Sequence, residues 1–154
     1  MISDPLAHLT KDERIKGAFN GNILYEGRQL GLHVNPDGSA LSECLELAKA
    51  ALAQLARLDE MARKEAVRKL LSNYNENWRE YQRGDGKGGV VDVSNPELTE
   101  EEFISQIVLT SVEFTGNEQC CLGYDDGGLF AGHAIFVRSF DGEGFSDFYV
   151  ELFG

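Results

Sequence analysis

Basic side chains are nearly missing from the last third of the chain. Of the 14 Lys and Arg residues, only Arg138 lies beyond residue 98. A stretch so poor in cations repels nucleic acid and anionic membrane surfaces, which excludes both as partners for it. The same stretch holds 11 of the 26 acids and carries −10 of the formal −12 net charge. Long apolar runs are also absent. No segment approaches the ~20 residues of a membrane span. The first 17 residues interleave Asp4, Lys11, Asp12, Glu13, Arg14 and Lys16 with their apolar positions, which excludes the usual secretory leader. Cysteine is scarce and odd in number, with Cys44, Cys120 and Cys121. An adjacent pair bridges to itself poorly, so reduced thiols in a cytoplasmic protein are expected.

Motifs that would announce a chemistry are missing too. There is no Gly-x-Ser-x-Gly nucleophile elbow. The glycine-rich run Arg83 to Gly89 lacks the Lys-Ser/Thr pair and preceding strand of a phosphate-binding loop. No calcium loop of the D-x-D-x-D-G kind occurs, and Cys120-Cys121 is not a Cys-x-x-Cys pair. These motifs give no ground for a cofactor, and none is expected.

What is present indicates one α+β domain over residues 1–154, with 1–16 as an N-terminal extension and 82–98 as a mobile glycine-rich loop. A chain of this length buries roughly 70% of its unfolded surface without disulfides or metal. Residues 3 to 15 suit a short helix capped by Ser3, with Pro5 in its first turn. Phe19–Tyr25 and Gln29–Val34, separated by Glu26-Gly27, read as a β-hairpin. Asn35-Pro36-Asp37-Gly38 then breaks the chain before a long helical block. Leu41, Leu45, Ala48, Leu52 and Leu55 recur at spacings of three and four, and Ala62, Ala66, Leu70 and Tyr74 at spacings of four. Ser39 or Ser42 suits the first cap. A pause near Leu58-Asp59, with Asp59 as a second cap, makes this a helical hairpin or one bent helix. Thr99-Glu100-Glu101-Glu102 is a capping box with three acids at the positive end of a short helix. Four strands follow, over Val108–Thr115, Gln119–Tyr124, Ala131–Phe140 and Phe145–Phe153. Their short connections predict an antiparallel four-strand meander packed on the helices. In the last strand Phe145, Asp147, Tyr149 and Glu151 alternate with Ser146, Phe148, Val150 and Leu152, and the first set suits the wet face.

The sharpest local pattern is Tyr124-Asp125-Asp126-Gly127-Gly128-Leu129-Phe130-Ala131-Gly132-His133-Ala134-Ile135. It resembles the core of an uncharacterised bacterial family, domain of unknown function 2262. Asn77-Trp78, Leu98-Thr99 with Phe103, and Gly21 to Leu32 are similar to other parts of that family. The resemblance covers roughly residues 17–154. Residues 84–89 and the ending Glu151-Leu152-Phe153-Gly154 depart from the pattern. It implies a bacterial origin and a shared fold unit, and it brings no activity.

Two functional readings compete. In the first, a non-catalytic acidic domain binds a basic protein through its sheet. The concrete version is an immunity protein that neutralises a basic toxin. Glu113, Asp147, Tyr149 and Glu151 would form the face, with Asp125, Asp126, Asp141 and Glu143 at its rim and His133 beside it. In the second, Asp125, Asp126 and His133 form a metal-binding or hydrolytic site. The simpler reading of His133 is a purely local role, bonding across its own turn to Asp125, Asp126 or a backbone carbonyl to fix the loop. A third possibility leaves the edge strand of the meander pairing with another copy.

Overall fold

Small residues decide how closely the helices approach the sheet. The computed structural model describes residues 4–154. Helix α1 (Leu41–Leu52) buries Cys44, Leu47, Ala48 and Ala51, and helix α2 (Leu55–Asn77) buries Leu55, Leu58, Ala62, Ala66, Leu70 and Tyr74. The alanines in both stripes let the helix backbones lie close to strand side chains. The α2 stripe is the expected one. That of α1 is turned from the expected line, because Leu41 is exposed and Leu45 and Leu52 are half-buried. The break between the helices falls at Ala53-Gln54, not at Leu58-Asp59, so Asp59 is no cap; it lies inside α2 and is buried. Neither Ser39 nor Ser42 caps α1. Its N-cap is Ala40, and the Ser39 hydroxyl donates to the Pro36 carbonyl instead at 2.7 Å.

Among the described residues, seven strands form one sheet in the order β1-β2-β3-β6-β7-β8-β9. They are β1 (Thr10–Lys11), β2 (Phe19–Tyr25), β3 (Arg28–Asn35), β6 (Val108–Thr115), β7 (Gln119–Asp125), β8 (Ala134–Ser139) and β9 (Phe148–Phe153). The expected hairpin is β2–β3 and the expected meander is β6 to β9. They are not separate layers. Gly31 to Asn35 pair in parallel with Ser111 to Thr115, which fuses the two pieces edge to edge, and every other pairing is antiparallel. Period-two burial then splits the sheet. Leu30, Leu32, Val34, Val112, Phe114, Leu122, Tyr124, Ile135 and Val137 face the helices and join their apolar residues in one core cluster.

Three local expectations need correction. The helix expected over residues 3–15 is a single 3-10 turn, Pro5–His8, followed by β1. Its cap is Asp4, whose carboxylate accepts from the Leu6 N–H at 3.0 Å, while Ser3 lies outside the described residues. The segment expected as a glycine-rich loop is a β-hairpin, β4 (Glu80–Gly84) paired with β5 (Val90–Ser94). The glycines gather in its turn, where Asp85 accepts from the Lys87 and Gly89 N–H groups. Phe145, expected on the wet face, is fully buried. It sits before β9 with φ 44° at the end of the 3-10 turn Gly142–Gly144, which swings its ring into the core. The short helix α3 (Glu100–Gln106) opens on the predicted Thr99–Glu102 capping box.

Candidate functional site

The register places a set of unlike residues on the sheet face that the helices leave bare. One row across it reads Asn20, His33, Glu113, Cys121, Arg138 and Tyr149; the next reads Asn22, Gly31, Ser111, Gly123, Phe136 and Glu151. Directly paired residues point to the same side of a sheet. Glu113, Tyr149 and Glu151, which the sequence nominated, therefore share one face. Asp125 is on it as well, at the end of β7 beside Ala134 and Phe153. Asp147 is exposed and just precedes β9.

At the β8–β9 end this face is aromatic. Phe136 lies over Gly123, where an added Cβ would come within 3.3 Å of the ring and collide with Ser111 Oγ. The Phe136 ring packs at 5.9 Å on Phe153, and the Arg138 guanidinium lies 5.1 Å above it. Arg138 also donates from Nε to Glu151 at 3.4 Å, so the single cation of this region is already engaged. Phe140 and Tyr149 form an edge-on pair at 5.9 Å and remain 44% and 64% exposed. Exposed aromatics beside an engaged Arg are the composition of docking surfaces. Beneath them the Cys121 thiol is pushed up to about 12, mainly by burial, and stays protonated.

At the β2–β3–β6 end the face forms an open groove of about 470 Å³, where Asp12, Arg14, Asn20, His33 and Glu113 stand beside apolar Ile15 and Leu32. Asp12 accepts from the Arg14 and Ile15 N–H groups and from Asn20 Nδ2, the last at 2.9 Å. The Asn20 bond, more than any other contact, holds the Asp12 carboxyl below its usual range. His33 Nδ1–H donates to Asn20 Oδ1 at 2.6 Å, and Glu113 sits opposite His33 on β6. Sequence reasoning missed this cluster because the hairpin register, not the spacing, brings Asn20 against His33.

The Asp125–His133 turn is built differently. Asp126 is buried, and its carboxylate accepts from three backbone N–H groups, those of Gly128, Phe130 and Gly132, at 2.8, 2.8 and 2.9 Å. Asp125 accepts from the Gly127 N–H. His133 Nδ1–H donates to the Phe130 carbonyl, and its ring stands 5.6 Å from that of Trp78. The turn thereby drives Phe130 into the core, edge-on to Tyr74, Trp78 and Phe103. Gly127 has φ 62°, and a Cβ there would collide with the Gln106 carbonyl. Among the described residues no group of three or more His, Cys, Asp or Glu side chains is placed to hold a metal ion. Both Asp126 oxygens are taken by backbone, which leaves the turn's three polar side chains without a convergent centre.

A second acid network was also hidden from the sequence. Asp59 in α2 accepts from the Tyr25 and Tyr124 hydroxyls at 2.9 and 2.7 Å and from Arg63 Nε at 2.8 Å. Arg63 Nη1 then donates to the Ile104 and Ile107 carbonyls. Burial, reinforced by Asp59, raises both tyrosine hydroxyls well above their usual value. This network ties α2 to β2, β7 and the end of α3.

Fold and site together define an α+β protein with a helix-covered core and one bare, polar and aromatic sheet face. The chain belongs to the bacterial family described as an uncharacterized protein conserved in bacteria, domain of unknown function 2262, which it matches over residues 3–148. The match begins earlier than residue 17, so the 3-10 turn and β1 lie inside the family unit. It stops before Tyr149, so Tyr149, Glu151 and Phe153 lie beyond it, while Glu113, Asp125, Asp126, His133 and Asp147 lie within. No curated protein and no solved structure matches the chain. Among the described residues no helix is long and apolar enough to cross a membrane.

Proposed function

We propose that this chain is a non-catalytic docking domain that binds a basic protein in the cytoplasm across the bare face of its sheet. In the most concrete form it is an immunity protein that neutralises a basic toxin. One observation carries the reading: Glu113, Tyr149 and Glu151 share a single uncovered face, in the last third of the chain, whose one cation, Arg138, is already engaged by Glu151. Complementary charge raises association rates by up to ~10³ and sets the orientation of approach. Exposed Tyr149, Phe140 and Phe153 supply the apolar anchors that hold a partner once it has arrived. Asp125 and Asp147 extend the negative rim.

The enzymatic reading finds no such support, because the Asp126 carboxylate is consumed by its own turn. The test is a titration of the purified protein with the basic product of the neighbouring gene. Tight binding is expected, weakening at least about tenfold as salt rises from about 50 to 500 mM. Glu113→Lys and Glu151→Lys should slow association. Absence of binding, or affinity indifferent to salt and to both substitutions, rejects the reading.

A further inference from the structure

The β4–β5 hairpin is an arm without a body to rest on. All five residues of β4 are exposed, and so are those of β5 except half-buried Val93. Two strands alone are marginally stable in water, and a third layer or strand is what ordinarily secures them. The arm is also two-faced. Its register puts Tyr81, Arg83, Val91 and Val93 on one side and Glu80, Gln82, Gly84, Val90, Asp92 and Ser94 on the other. The second side is polar away from the turn, with Gln82 donating to Asp92 at 2.9 Å, and carries exposed Val90 beside the turn. The first is apolar, with Tyr81 49% and Val91 41% exposed, and Arg83 is its only charge.

The complementary surface is on the same chain. The β8–β9 face offers exposed Tyr149 and Phe153 with Glu151 between them, next to exposed Asp147. The arm's cation, Arg83, would thus meet exposed Asp147 and Glu151, the latter shared with Arg138, across an otherwise apolar contact. Arm and face also start from one corner of the molecule. Trp78, at the root of the arm, stands 5.6 Å from His133, and His133 lies against Gly154, the residue after β9. An isologous exchange, in which each arm meets the other copy's β9, closes on itself without forming a fibre.

We propose that two copies of this chain associate by reciprocal docking of the β4–β5 arm on the β8–β9 face, Tyr81, Arg83 and Val91 of one copy meeting Tyr149, Glu151 and Phe153 of the other. The proposal rests on the reading of that face as a docking surface, and it adds that a second copy occupies it before the basic partner does. Partner and second copy then compete.

Light scattering on the full chain across about 1 to 100 µM tests it. The expected result is a species of twice the 17.0 kDa chain mass. Val91→Lys, on the arm, and Tyr149→Ser, on the face, should each weaken self-association at least about tenfold without unfolding, since both residues are exposed. A mixture of Val91→Cys and Tyr149→Cys chains should form a mixed 91–149 disulfide under mild oxidation, because Cys44, Cys120 and Cys121 are buried and do not compete. A monomer throughout, a dimer indifferent to Val91→Lys, or crosslinks only between like positions overturns the proposal. Binding of the basic gene product to the wild-type chain, measured alongside its mass, separates the two readings. Partner binding without a dimer removes the arm exchange alone, and a dimer without partner binding removes the docking function alone.

Discussion

The two faces of the sheet are made by the same strands and obey different chemistry. On the helix side, alternate residues are large, apolar and buried, and they interlock with alanine stripes on α1 and α2. On the bare side the neighbouring positions are Gly31, Ser111, Gly123, His33, Glu113 and Arg138. Folding needs the first set. The second set leaves aromatic rings and single charges in water, where they add little to stability. Residues whose exposure serves no packing purpose are available for binding, and the contrast locates function on the face that the core does not use.

Substitutions on the helix side should have the largest effects. Phe130→Ala empties a site among Tyr74, Trp78 and Phe103 and should cost about 4 kcal/mol in denaturant unfolding. Asp59→Ala leaves Arg63, the buried Tyr124 hydroxyl and the half-buried Tyr25 hydroxyl without their acceptor, and about 3 kcal/mol is expected. If either variant unfolds at the wild-type midpoint, the helix side is not where the stability resides.

An intermediate effect should come from acid. Hydrogen bonds from Ser146 and Ser139 hold the Asp141 carboxyl below its usual value, and bonds to Asn20, to Lys87 and Thr99 N–H groups do the same for Asp12, Asp85 and Glu102. A carboxyl depressed on folding contributes stability above its unfolded pKa and loses it as pH falls through the folded one. Thermal stability should therefore be level from neutral pH to about pH 4 and decline below it. Asp141→Asn should make the acid limb shallower.

The smallest effects on folding are expected from the bare face. Tyr149→Ser and Glu113→Gln should each shift stability by no more than about 0.5 kcal/mol. Larger losses would mean that the face is part of the folding core and would erase the contrast between the two sides.

What the sequence disclosed was local. The Thr99–Glu102 box, strand β6 and the Ala62–Tyr74 stripe depend on neighbours within a few positions, and all three are found where spacing puts them. What it concealed was long-range. Asp59 looks like a cap beside Leu58, yet Tyr25 and Tyr124, distant in the chain, make its burial tolerable. Phe145 alternates correctly for an exposed strand residue, but a left-handed backbone before β9 reverses its direction. Glycines hid the arm, since four of them between Arg83 and Gly89 mask the pairing of Tyr81 with Val93. At the candidate site, the shared face of Glu113, Tyr149 and Glu151 followed from strand alternation, whereas the Asp12–Asn20–His33 cluster required a hairpin register.

The parallel seam between β3 and β6 bears on how the chain assembles in time. Its partners are 80 positions apart at Gly31 and Ser111, whereas every other strand pair closes across a connection of eight residues or fewer. The hairpin and the meander can each form early, but their union must wait while both helices, the arm and α3 are threaded between them. Closure over so long a separation slows folding. Until it happens, β3 and β6 each present an open strand edge, the state in which a nascent chain is most exposed to its neighbours.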